Sequence, residues 1–564
     1  MTANDPNVPN APEAQTPTLS IRDLTVSLPK SAERPFAVRG LSLDVMPSEI
    51  LCIVGESGSG KSVTALATMG LLPPGVQATS GQILFENQDI LKLSPKRHNA
   101  MRGDRMSMIF QEPMTALNPS YTVGEQIEEV FRAHRRGQMS ATERRERTLE
   151  LLDEVRLPEP KRLAGSFPHQ LSGGQRQRIM IAMALALDPK LLIADEPTTA
   201  LDVTTQSQIL KLLKQLNARH NAGIMFITHD FGVVAEIADR VIVMRHGEIV
   251  EQGTSDAVLN HAQHPYTRAL INAVPRKSDD VDVSESREPV VIRVENLTKT
   301  FHVSGSLFKQ SRTVHAVKSV SFNVRRGETL GIVGESGSGK TTLVRCLMRL
   351  TDPDSGSIDV GGVDFANLSR AALREHRKNV QIVFQDPYGS LNPRRQVGSQ
   401  LIQGPMNFGI SRREALARVD RLLRIVRMPP DCIYRYPNQF SGGQRQRLCI
   451  ARALAVEPHV LIADEAVSAL DVSIQKQVLK LINDIRDEFG LTVIFITHDL
   501  RVAAQVCDHV LVMKDGEVVE RGNVEQIFEA PQHAYTQSLL AAQPGLDWDI
   551  PQFDDVDEEA IVAS

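Results

Sequence analysis

Apolar residues along this chain gather in short unbroken runs that stop on polar or glycine-rich segments, with longer stretches of mixed spacing between them. Glu49 to Val54 is one such run, of strand length, followed by a glycine-rich loop and then by a helix-forming stretch that contains Ala65 and Leu66. Leu191 to Ala194 and Val460 to Ala463 each stop on two carboxylates, Asp195-Glu196 and Asp464-Glu465. Gly223 to Thr228 and Leu491 to Thr497 stop on His229-Asp230 and His498-Asp499. Buried parallel strands that deliver polar groups at their C-terminal edge give this pattern, so the expected class is α/β. A helix is expected over Arg176 to Leu187, halted before Pro189. Its apolar part, Ile179 to Leu187, is the longest clean apolar run and falls well short of the roughly 18 residues that suggest a membrane span.

The runs recur because the chain is two copies of one unit. GESGSGKS at Gly55 to Ser62 returns as GESGSGKT at Gly334 to Thr341, and SGGQRQR at Ser172 returns at Ser441. Gln111, in IFQEP, matches Gln385, in VFQDP. Asp195 and Asp464, Asp202 and Asp471, His229 and His498, and Tyr266 and Tyr535 then pair at one constant spacing. The second copy is shorter before those pairs, a loss that loops and surface helices absorb and core strands do not. The expected division is a leader over 1–18, copy one over 19–275, a polar linker over 276–289, copy two over 290–544 and an acidic tail over 545–564. The linker reaches roughly 45 Å when extended, enough for the copies to face one another. The leader, rich in Pro, Ala and Asn, reads as disordered and lacks the basic start and apolar core of a signal peptide. The stretch from Asp547 to Glu559 carries seven acids and reads as solvated.

The chemistry sits where the runs end. Gly55, Glu56, Ser57, Gly58, Ser59, Gly60, Lys61 and Ser62 follow a strand and open a helix, the context a phosphate-binding loop requires. The glycines let backbone N–H groups converge on phosphate oxygens at a helix N-terminus, Lys61 reaches the β and γ phosphates, and the Ser62 hydroxyl can ligate Mg²⁺. In copy two these roles fall to Gly334, Glu335, Ser336, Gly337, Ser338, Gly339, Lys340 and Thr341. Asp195 and Asp464 are candidates to hold Mg²⁺. Glu196 and Glu465 face the other way by strand alternation and are candidates to polarise the attacking water. His229 and His498 are candidates for the γ-phosphate. Phe36 and, less well suited, His315 precede Ala-Val ahead of each loop, where a ring could stack on adenine.

Composition removes several classes of function. With 63 Lys plus Arg against 68 Asp plus Glu, the net charge of -5 argues against a protein that coats nucleic acid. Cys52, Cys346, Cys432, Cys449 and Cys507 are scattered, without metal-ligand spacing, and read as buried reduced thiols.

With phosphate loop, glutamine, LSGGQ at Leu171 to Gln175, the acidic strand end, Asp202 and His229 in this order, copy one resembles an ABC-type ATPase domain. Copy two is similar, with FSGGQ at Phe440 to Gln444. The resemblance covers most of the chain. It implies two tandem ATPase domains, each with a RecA-like core, an antiparallel β subdomain and a helical signature subdomain, using ATP and Mg²⁺. It adds Gln111 and Gln385 to the metal and catalytic sets. It also implies that Ser172, Gly173, Gly174 and Gln175 complete the site built on Lys340, and Ser441, Gly442, Gly443 and Gln444 the one on Lys61. HPYTRAL at His264 and HAYTQSL at His533, with EPMTALNP at Glu112 and DPYGSLNP at Asp386, resemble the ATPases of peptide and nickel importers. Fused two-domain members serve glutathione importers and the microcin C and peptide importer, and it is the ATPase of the latter that this sequence resembles most. That family implies two membrane permease subunits, a periplasmic binding protein and a place on the cytoplasmic face of the inner membrane, with no iron-sulfur cluster expected here. The alternative, a tandem ABC ATPase acting on ribosomes, would carry a long helical linker.

Overall fold

In the computed structural model, the described residues are 16–32, 34–112, 116–198, 201–275, 288–303, 312–468 and 470–553. Most of the expected leader and linker, and the acids from Asp554 onward, lie outside them. The chain forms two compact units. The first takes in Met1–Thr199, Gln208–Asn272 and Asp547–Ser564; the second takes in Ala200–Ser207 and Ala273–Leu546.

Each unit is built on a six-stranded sheet. In the first, the strand order is Glu248–Thr254, Arg240–Arg245, Ile50–Val54, Gly223–Ile227, Leu191–Asp195 and Met106–Ile109. Every neighbour pair is parallel except Glu248–Thr254 with Arg240–Arg245. The middle three strands are buried at every residue, which is why they read as continuous apolar runs rather than alternating ones. A parallel sheet puts all its C-terminal ends on one edge, so the loop after Val54, the acids after Ala194, His229 and Gln111 emerge side by side. The second unit repeats the plan with Val380–Val383, Val460–Asp464, Thr492–Thr497, Thr329–Val333, His509–Lys514 and Glu517–Asn523.

A four-stranded antiparallel sheet completes each core, in the order Phe36–Val45, Leu19–Ser27, Gln77–Phe85 and Gln88–Asp89 in the first unit. Leu19, Ile21, Val38 and Phe85 pack with Ile53, Ala65, Ile193 and Ile227 in one cluster, so the phosphate-loop strand and its helix share a core with this sheet. Leu297, Phe322, Ile332, Leu343 and Ile462 do the same in the second unit.

Two features differ from the sequence expectations, and a third separates the two copies. The helix predicted from Arg176 begins at Gly173 and runs to Leu185, because Ser172 and Gln175 form a capping box. Copy two has two short helices, Val397–Leu401 and Gln403–Asn407, where copy one has the single helix Val123–His134. The break precedes Pro405, which has no N–H to continue the ladder. The start of the acidic tail is packed rather than solvated. Trp548 donates from Nε1 to Asn260 Oδ1 at 2.9 Å, and Asn272 exchanges two hydrogen bonds with the Phe553 backbone at 2.8 and 3.2 Å. The Arg268 guanidinium lies 5.4 Å from the Phe553 ring centre. The count of acids hid two apolar anchors set among them.

Candidate functional site

The loop Gly55 to Ser62 joins the strand Ile50–Val54 to the helix Lys61–Met69. Gly60 is the N-cap at φ 104°, and a Cβ there would stand 2.6 Å from the Ala37 carbonyl oxygen, so only glycine fits. Gly339 matches it at φ 105°, with 2.2 Å to the Ala316 oxygen. Gly58 and Gly337 meet nothing within 4 Å of a built Cβ, which leaves the crest of each loop open for a phosphate. Lys61 is buried and donates to the Gly55 oxygen at 2.6 Å, the Glu56 oxygen at 2.8 Å and Ser59 Oγ at 3.3 Å. Lys340 donates to the Gly334 oxygen at 2.7 Å and the Glu335 oxygen at 2.8 Å. Burial pulls the Lys340 ammonium down, while Glu465 and Asp464 push it back up.

The carboxylates stand beside these loops. Ser62 donates to Asp195 Oδ1 at 3.0 Å. In the second unit Asp464 Oδ1 is buried with no hydrogen-bond partner among the described residues. Burial pushes Asp195 and Asp464 up to about 6, and the neighbouring glutamates add to the rise. An orphaned, buried carboxylate oxygen close to the loop lysine, in a place that penalises negative charge, is a donor that fits a divalent cation.

Glu196 and Glu465 do not owe their direction to strand alternation. The strands end at Asp195 and Asp464, and each glutamate sits in the left-handed region at φ 46°. Each is fixed by its N–H, which donates to the Ile227 oxygen at 2.9 Å or the Ile496 oxygen at 3.0 Å. Such a conformation costs a non-glycine residue on the order of 1–3 kcal/mol, and it appears in both copies at an acid. Gln111 Nε2 donates to Glu196 Oε2 at 2.9 Å, and Gln385 Nε2 to Glu465 Oε2 at 2.7 Å. His229 Nδ1 lies 3.4 Å from Glu196 Oε1, and His498 Nδ1 lies 3.8 Å from Glu465 Oε2. Against the burial that would raise it, His498 and Lys340 hold Glu465 below the usual glutamate range, so it stays an ionised acceptor.

Phe36 lines a cleft of about 830 Å³ together with Ser57, Gly58, Ser59 and Tyr266. Arg34, Arg39 and Arg245 also line it together with Glu56 and Glu248, Arg39 lying 3.5 Å from Glu248, so the wall is charged with both signs. His315 lies on the strand Arg312–Arg325, exposed, with Nδ1 3.1 Å from Thr300 Oγ1. Ser172 to Gln175 and Ser441 to Gln444 form the capped starts of the helices Gly173–Leu185 and Gly442–Leu454, where the capping box takes up the serine and glutamine N–H groups and leaves those of the two glycines outside it.

The chain matches the family described as ABC transporter over residues 38–199 and again over 317–468. It belongs to the ABC transporter ATP-binding family. A second match, described as oligopeptide/dipeptide transporter, C-terminal region, covers 250–313 and 519–560. The glutathione import ATP-binding protein GsiA of Escherichia coli strain K12 is 47% identical over 559 residues, which cover 93% of this chain and 89% of that protein. The protein of the same name from Shigella dysenteriae serotype 1 strain Sd197 is similar to the same extent. This chain is therefore an ABC ATPase, with the same grouping of loop lysine, acids, glutamine and histidine in each copy. Among the described residues no helix is long and apolar enough to cross a membrane. As an import ATPase of the ABC type, the chain has membrane permease partners.

Proposed function

We propose that this ATPase drives import of peptides or peptide-like compounds, glutathione among them, through two separate membrane permease subunits. A periplasmic binding protein delivers the solute, and the ATPase sits at the inner face of the membrane. The observation that carries this reading is the oligopeptide/dipeptide C-terminal region found behind both ATPase copies. In each copy Lys61 or Lys340 holds the β and γ phosphates, and Glu196 or Glu465 accepts a proton from the attacking water. Gln111 and Gln385 orient those glutamates, and His229 and His498 face the γ-phosphate. Ser62 with Asp195, and Thr341 with Asp464, would hold Mg²⁺, with the glutamines close by; bound there, the ion neutralises charge on the phosphate oxygens. The SGGQ segments contribute helix N-termini to the site of the other copy, as the family resemblance implies.

The groove at Tyr388, Asn392, Arg394, Arg395 and Gln403 supports a docking place for a permease segment, since Tyr388, three positions after Gln385 in the chain, remains 60% exposed. The ribosomal alternative has no observation in its favour.

The test is uptake by vesicles that hold the ATPase with its permeases and binding protein, loaded with ATP and offered labelled glutathione, dipeptides and oligopeptides. One of these solutes should accumulate, and the doubly altered Glu196→Gln, Glu465→Gln protein should abolish it. Uptake that persists in that variant would sink the proposal.

A further inference from the structure

The catalytic groups leave one shared motif unused, the His-x-Tyr of each C-terminal region. In the first unit the Glu251 carboxylate accepts the N–H groups of Gln263 at 2.6 Å and His264 at 3.2 Å. His264 Nδ1 accepts the Tyr266 N–H at 3.2 Å, which makes this imidazole nitrogen an acceptor and starts the helix Pro265–Asn272. Tyr266 is thereby driven inward until it is 1% exposed. The Arg245 guanidinium covers its ring at 4.8 Å. Its hydroxyl accepts the Glu56 N–H at 3.2 Å and donates to Glu56 Oε2 at 3.3 Å.

The second unit builds the same chain of contacts. Glu520 accepts Gln532 and His533 N–H at 2.7 and 3.1 Å, and His533 Nδ1 accepts the Tyr535 N–H at 3.1 Å. Tyr535 accepts the Glu335 N–H at 3.1 Å, and Lys514 lies over its ring at 4.8 Å. Burial raises both tyrosine hydroxyls above their usual range, with the adjacent glutamate adding to the rise, so each stays protonated.

The N–H that Tyr266 holds and the Gly55 carbonyl that Lys61 holds belong to one peptide unit, which is planar. Tyrosine grips one edge and the lysine ammonium the other. A rotation of that plane would swing the carbonyl away from Lys61 and change where the ammonium points. The Gly334–Glu335 peptide is gripped in the same way by Tyr535 and Lys340. Its glycine sits at φ 159°, with Gly55 at 147°, so neither peptide has a side chain on its N-terminal residue to hold it.

We propose that Tyr266 and Tyr535 are positioning residues for the phosphate loops, each acting through its loop lysine to set nucleotide affinity. The inference rests on the nucleotide role given to Lys61 and Lys340. Full-length protein carrying Tyr266→Phe in a Lys340→Ala background, and Tyr535→Phe in a Lys61→Ala background, isolates one site at a time. Equilibrium titration with a fluorescent ATP analogue should show affinity at the remaining site lowered about fivefold, the worth of one hydrogen bond. Turnover at saturating ATP should stay within about twofold, and the melting temperature without nucleotide should fall by no more than about 2–4 °C from that of the parent background, since the ring and its packing remain. Unchanged affinity in both phenylalanine variants overturns the proposal. So does a loss of affinity matched by a collapse in melting temperature, which would mark a packing role alone. If Lys61→Ala itself binds the analogue as wild type at both sites, the lysine assignment fails first and the tyrosine inference falls with it.

Discussion

The two copies hold their reacting groups at nearly the same distances, and they differ in what surrounds them. The glutamine-to-glutamate hydrogen bond is 2.9 Å in one and 2.7 Å in the other, and the lysine grips its first carbonyl at 2.6 and 2.7 Å. Beyond those groups, Ser62 hydrogen-bonds to Asp195 and Ser59 receives Lys61, whereas among the described residues Asp464 Oδ1 and Ser338 Oγ are buried without a partner. Pro197-Thr198 becomes Ala466-Val467, and Phe36 becomes His315. The exchange after the acids leaves Glu465 at the same φ as Glu196, its turn closed by Ser468, which donates to the Glu465 oxygen at 3.2 Å from its N–H and 3.0 Å from its hydroxyl. A difference at the periphery therefore does not mark one copy as inert. Two complete sets of reacting groups predict two working sites whose affinities differ more than their chemistry.

The strongest way to break that equivalence is at the glutamates. Glu196→Gln and Glu465→Gln should each slow hydrolysis at the altered site by about 10² to 10⁴, the range for losing a general base, while ATP still binds. Phosphate release measured for each single variant checks it; wild-type turnover in both would remove the glutamates from the mechanism. Next come the lysines. Lys61→Ala and Lys340→Ala each delete a charged donor, worth about 1.5–3 kcal/mol per hydrogen bond and so roughly 10- to 100-fold in nucleotide affinity, read by calorimetry. Similar losses at both sites would support equivalence, and a loss at one alone would break it.

A smaller effect sharpens the comparison at the adenine end. Phe36 lines the cleft beside Ser57 and Gly58, while His315 is exposed on its strand. Phe36→Ala should weaken ATP binding about three- to tenfold, the scale of one aromatic stack, and His315→Ala by less than twofold. Equal losses would assign the two rings the same role, and no loss from Phe36→Ala would remove the stacking role altogether.

What could be read from the sequence was local. The apolar run before Gly55, the acids after Ala194 and the second set of each are short-range patterns, and the parallel sheet does the rest by bringing strand ends to one edge. The turn that aims Glu196 is not legible in the sequence, because strand alternation stops at Asp195 and a left-handed residue takes over. The contact of Tyr266 with Glu56 spans 210 positions and leaves no periodicity to find. A signal did exist, since Tyr266 and Tyr535 repeat at the same spacing as the acids. The packed start of the tail escapes the sequence for a related reason: charge content says nothing about Trp548 finding Asn260 across 288 positions.

The smallest predicted effect tests whether the two SGGQ segments are equivalent as structure before they are compared as chemistry. In each, the serine hydroxyl accepts the glutamine N–H at 3.3 Å and the glutamine side chain accepts the serine N–H at 3.1 Å. Identical caps should cost the same to remove, about 1 kcal/mol for Ser172→Ala and for Ser441→Ala, which lowers the melting temperature by about 2–4 °C in domains of this size. Replacement by Asp restores a cap but not a hydroxyl, and it places a negative charge at a helix start where a phosphate would otherwise be drawn. Stability should therefore return in Ser172→Asp while hydrolysis falls further. If both stability and hydrolysis recover, the segment serves its own helix and nothing beyond it.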